Sequence, residues 1–142
     1  MSELTPVRTK VPDTSRLVFA EINEALSPPN VRFTSLDSYY SRGTTHAEVA
    51  PYIQQDNAAG QDEFDWFYAE WQKNPYSQHL APFKRSTGRL VNSPIFFFFY
   101  DAIDARGVPC IYWSLKSQEF VFVQRRNPDE HLYPNFRAVL KA

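Results

Sequence analysis

Apolar residues recur at helical spacing through the first part of the chain and give way, from Ile95 onward, to short strand-sized runs. Residues 1–12 are polar, carry Pro6 and Pro12, and read as a flexible N-terminal arm. From Asp13, an N-cap residue type, to Leu26, the positions Val18, Phe19, Ile22, Ala25 and Leu26 fall on one stripe at about 100° per residue, with Glu21 and Glu24 opposite. Ser27-Pro28-Pro29-Asn30 stops that helix, because proline lacks the donor and restricts the residue before it. A short strand follows at 31–36. Arg42-Gly43 makes a turn, and Thr45-x-x-Glu48 has the form of a capping box, opening a short helix that reaches about Gln55 and is limited by Pro51. The clearest helix runs from Gln61 to Asn74, where Phe64, Phe67, Tyr68 and Trp71 follow the i, i+3, i+4, i+7 pattern and Pro75 ends it. Residues 76–92 read as irregular, with Lys84, Arg85 and Arg89 around Gly88 as a solvated basic loop.

Three strands are then expected at 95–103, 110–116 and 119–124, joined by Asp104-Ala105-Arg106-Gly107 and Ser117-Gln118. Connections that short imply antiparallel neighbours. Phe136, Val139 and Leu140 fit a closing helix within 129–142. Helices followed by strands give an α+β fold class, with N-terminal helices packed on a C-terminal antiparallel three- to four-stranded meander that can curve around a pocket. Residues 13–142 are expected to form one domain. Phe96 to Phe99 place aromatics on both faces of the first strand, and a one-sided antiparallel sheet would show polar residues on its outer face. Both faces therefore require cover: helices suffice for one, and the other needs the N-terminal segment, a curved sheet or a second copy of the chain.

Composition narrows the classes. The chain has 142 residues and net charge −1, which lacks the basic excess a phosphate-gripping protein needs, so nucleic acid is not an expected partner. Cys110 is the single cysteine and cannot form an internal disulfide, which fits a reducing, cytoplasmic compartment. No run approaches a membrane span. Cys110 follows Pro109 in an apolar strand and reads as a buried, inert thiol rather than a nucleophile served by His46, His79 or His131. The histidines are widely separated in sequence, and Asp62, Glu63 and Asp65 suit the positive end of a helix dipole rather than any cation loop, so no metal, cofactor or catalytic set is expected.

Trp66 is the leading site residue. It lies about 160 to 200° from the apolar stripe of its helix, next to Asp62, Glu63 and Glu70. An exposed tryptophan ringed by carboxylates suits a basic protein partner, since Trp is enriched in interface hot spots. The competing reading covers Trp66 with another segment of the same chain. On the first reading Trp66→Ala leaves stability nearly unchanged, whereas Trp71→Ala costs about 3–5 kcal/mol as a core truncation. The expected function is then a protein-binding or inhibitory module, of the immunity or antitoxin type, that occludes a basic surface. A homodimer through the sheet is a further expectation.

Two other classes compete. Tyr39-Tyr40-Ser41-Arg42-Gly43-Thr44-Thr45 resembles the first-strand segment of ADP-ribosyltransferases, with Ser93 and Glu119 in the order of that family's later residues. The resemblance implies NAD held by Arg42 and an oxocarbenium stabilised by Glu119. The chain departs from the family in lacking a Ser-Thr-Ser run and a Glu-x-Glu pair, and in having only 4 Gly. Alternatively Phe96, Phe98, Tyr100, Tyr112, Trp113, Phe120 and Phe122 line a pocket for an apolar or planar ligand.

Overall fold

The computed structural model describes residues 28–85 and 94–142. The expected arm at 1–12, the helix at 13–26, and most of the basic loop with Arg89 lie outside the described residues, as does Ser93. The element order is β1 (Val31–Ser35), a 3-10 segment (Leu36–Arg42), α1 (His46–Gln55), α2 (Gln61–Lys73), α3 (Ala81–Arg85), β2 (Phe96–Phe98), β3 (Val108–Ser114), β4 (Glu119–Arg126) and β5 (Phe136–Lys141). A second 3-10 turn, Tyr100–Ala102, follows β2. The class is α+β.

The five described strands form one mixed sheet in the order β1-β5-β2-β3-β4. β2, β3 and β4 make the expected antiparallel meander. The closing segment is not a helix. It is β5, which lies parallel to β2 and antiparallel to β1. Phe136, Val139 and Leu140 satisfy a helical spacing, but the run also alternates: Phe136, Ala138 and Leu140 are buried on one face of the sheet and Val139 on the other. A short apolar run fits both periods, and β5 is settled by the two neighbouring strands that supply its hydrogen bonds.

Both faces of the sheet are covered by described helices, α2 and α3 on one side and α1 on the other. Phe97 and Phe99 join Phe64, Phe67 and Phe83 in the first core. Phe98 and Tyr100 join Val49, Ile53 and Leu36 in the second. The aromatic run at 96–99 thus feeds two cores by simple alternation.

Local chemistry explains the helix ends. Thr45 Oγ1 accepts from Glu48 N at 3.3 Å and Glu48 Oε1 accepts from Thr45 N at 3.2 Å, closing the capping box. α1 continues past Pro51 to Gln55, so the proline sits inside the helix rather than ending it. Asn57, at φ 68, turns the chain away, and 57–59 runs beside β5, with Ala59 N donating to Val139 O at 2.8 Å and Lys141 N to Asn57 O at 2.8 Å. This linker carries the chain from the α1 face to the α2 face. In the Asp104–Gly107 turn, Gly107 has φ 136 and no room for a Cβ against the Arg126 carbonyl, which only glycine tolerates. The expected strand at 95–103 is shorter, Phe96–Phe98, because Tyr100–Ala102 winds into a 3-10 turn before that hairpin.

Candidate functional site

Trp66 is not on the surface. It is 5% exposed, its ring meeting Phe67 and His79 edge-on at 5.5 Å each. The segment after α2 folds back along the helix and covers the side opposite the sheet. Glu70 is 8% exposed and accepts from Ser77 Oγ at 2.6 Å, with Lys73 Nζ at 3.6 Å. Glu63 accepts from Gly60 N at 2.7 Å and caps the start of α2. Of the acidic ring, Asp62 alone is exposed. The expected acidic, tryptophan-centred surface is therefore largely internal. Helical periodicity identifies one buried stripe, and α2 has two because it is packed on both sides.

The resemblance-based pair is not brought together. Arg42 is exposed and stacks over Tyr52 of α1 at 4.8 Å, on the α1 face. Glu119 begins β4, at the opposite edge of the sheet from β1, and borders a groove on the α2 face. Cys110 is fully buried, and burial pushes its thiol up to about 12 despite the nearby Arg126 guanidinium. It lies beside a partly buried polar cluster. His46 Nδ1 lies 2.6 Å from Tyr100 Oη, Arg126 forks onto Glu130 through two 2.9 Å bonds, and His46 Nε2 is 3.9 Å from Glu130 Oε1. Burial lowers His46 to about 4, so its ring is neutral at pH 7. His79 packs on Trp66, and His131 is exposed in a bridge to Thr45. Among the described residues no group of three or more His, Cys, Asp or Glu side chains is placed to hold a metal ion. No described helix is long and apolar enough to cross a membrane.

The aromatic residues proposed as one pocket lining divide between the faces. Phe96, Phe98, Tyr100 and Tyr112 pack on the α1 side, where Phe96 meets Tyr112 at 4.5 Å and Phe98 meets Tyr100 at 5.8 Å. Trp113, Phe120 and Phe122 face α2. Trp113 and Phe120 are directly opposed in the β3–β4 register, with ring centroids 4.9 Å apart, and form one wall of a groove of about 710 Å³. Tyr68 and Trp71, at the end of α2, form the other wall.

Backbone chemistry shapes the mouth of this groove. Asn74 leaves α2 extended, and its Oδ1 accepts from Tyr76 N at 3.1 Å, an Asx-type turn that throws Tyr76 outward. Tyr76 is 92% exposed. Across the mouth, Gln118 sits at φ 57 in the β3–β4 turn, its N–H donating to Ser114 O at 2.9 Å, which presents Gln118 and Glu119. Lys84 of α3 lays its ammonium 4.3 Å from the centre of the Trp113 ring. The sequence places Trp113 and Phe120 among the aromatics of the strands, without separating the two faces. Helical spacing assigns Trp71 to the core, Lys84 reads only as part of a solvated basic loop, and Tyr76 falls where no period exists to read. Compared with known proteins, the chain matches no family model, no curated protein and no solved structure.

Proposed function

We propose that the protein is a protein-binding module whose recognition surface is the aromatic groove at the end of α2. The observation that carries this is Tyr76, 92% exposed at the mouth of a groove of about 710 Å³ walled by Trp71 and Trp113. Large rigid aromatic side chains supply contact area at low entropic cost and dominate interface hot spots. A ring as exposed as Tyr76 gains from a partner that covers it. Inhibition of a partner by occlusion is one form this reading takes, with the groove replacing the Trp66 face as its contact.

Crosslinking tests it. A photoreactive phenylalanine derivative at position 76 should give a discrete protein adduct in the native cell, and Trp113→Ala in the same chain should abolish it. The same group at Tyr40, 42% exposed beside the α1 face, should not give that adduct. Identical adducts from both positions, or none from position 76, would overturn the proposal. A second reading, a small apolar ligand in the groove, is favoured by its volume, which lies within the roughly 300–1,000 Å³ of ligand sites. A retained small molecule in native mass spectrometry would support that alternative.

A further inference from the structure

Resting on that reading, we propose that the groove recognises a lysine ammonium of the partner protein and that Lys84 is its intramolecular competitor. A cation within about 6 Å of an aromatic centroid is attracted by the ring quadrupole, most strongly by Trp. Lys84 Nζ stands 4.3 Å from the Trp113 centroid, so a primary ammonium already occupies the surface offered to the partner. Lys84 and Glu119 are the two charged residues among the described lining. With Lys84 on Trp113 the lining is formally neutral. With Lys84 withdrawn it holds one carboxylate and the rings of Trp71, Tyr76 and Trp113, which is complementary to a cation and not to an anion.

The competition has a plain physical basis. An incoming ammonium meets like charge while Lys84 is seated, and its binding must include displacement of that side chain. Lys84 is exposed and tethered by a flexible stem, so displacement requires no rearrangement of the sheet. The groove is in this sense closed by its own lysine until a better-placed cation arrives. The basic partner expected from the sequence is retained, with a different surface to receive it.

The test uses Lys84→Met, which keeps the unbranched stem and removes the charge. An N-acetylated, C-amidated Gly-Gly-Lys-Gly-Gly peptide is titrated into both chains, with the indole N–H of Trp71, which also lines the groove, followed by NMR. The same blocked peptide with norleucine in place of lysine is the uncharged control. Lys84→Met should bind the lysine peptide about fivefold more tightly than the wild type, the size of one exposed cation–π contact. Trp113→Phe in the Lys84→Met background should reduce the gain, and the norleucine peptide should bind neither chain measurably. Equal affinity of Lys84→Met and wild type for the lysine peptide would overturn the competition. Equal binding of the lysine and norleucine peptides would overturn ammonium recognition. Either result with the position-76 adduct intact removes this inference and leaves the groove as the contact surface. Loss of the adduct removes the groove itself.

Discussion

Trp66 and Trp71 exchange the roles that helical spacing gives them. Trp66 is 5% exposed between α2 and the segment that folds back over it, whereas Trp71 is half-buried at a groove wall. Truncating a fully enclosed tryptophan removes its transfer energy and leaves a cavity, so Trp66→Ala should cost about 3–5 kcal/mol. Trp71→Ala should cost clearly less, because solvent already reaches its ring. Urea unfolding of the two variants checks the order, and a Trp71→Ala loss equal to or larger than that of Trp66→Ala would refute it. The residues legible from sequence were those whose surroundings lie within one element: the Thr45–Glu48 capping box, and the apolar stripe of Phe64, Phe67 and Tyr68. Trp66 and Glu70 were illegible because their covering residues, Ser77 and His79, sit in a stretch with no periodicity.

At the scale of elements, α1 and α2 each carry a buried titratable group, and the two oppose each other. His46, at the start of α1, is enclosed by Phe98, Tyr100 and Phe136 and faces Glu130 and Arg126. Its proton affinity falls from 6.5 to about 4 on folding, so the folded state binds fewer protons between those values. The resulting stability is fully present above pH 6.5 and is lost as pH falls toward 4, by roughly 3 kcal/mol. Asp65 on α2 is raised from 3.8 to about 6, chiefly by burial, with Asp62 adding and Gln61 and Arg125 opposing. Its contribution is present below pH 3.8 and is lost as pH rises through 6. Between pH 4 and 6 the two slopes offset. Asp65→Asn keeps an acceptor for the 2.8 Å bond from Gln61 and removes one slope. It should raise the melting temperature at pH 7, leave it nearly unchanged near pH 4, and steepen the acid loss between. Calorimetry at the two pH values reads this directly, and equal shifts at both would show that Asp65 does not titrate across that range. The element carrying His46 is also tied to the loop after β4, since His46 N donates to Glu130 O at 3.3 Å and Ala47 N to Pro128 O at 2.9 Å.

For the whole molecule, the sheet is held together by its last strand. The sequence shows the β2-β3-β4 meander because short polar turns separate its runs. It hides β5, whose place between β1 and β2 depends on pairing across more than a hundred residues, as in Val31 opposite Lys141. β5 hydrogen-bonds two strands, meets the 57–59 linker, and supplies Phe136, Ala138 and Leu140 to one core and Val139 to the other. A frayed C-terminal helix would be dispensable, since chain ends usually tolerate truncation unless they are tied down. A central strand is not. Deleting residues 136–142 should separate β1 from the meander, open both cores together, and abolish cooperative thermal unfolding, with loss of the near-ultraviolet dichroism of the packed aromatics. Two control changes bound the interpretation. Deleting Ala142 alone, beyond the strand, should leave the transition in place. Val139→Ala, which trims the α2-side core, should cost about 1–3 kcal/mol of stability and lower the midpoint without abolishing the transition. If the 136–142 deletion retained a sharp transition at an unchanged midpoint, β1 and the meander would have to cohere through the helices alone, and β5 would not be the element that joins the two layers.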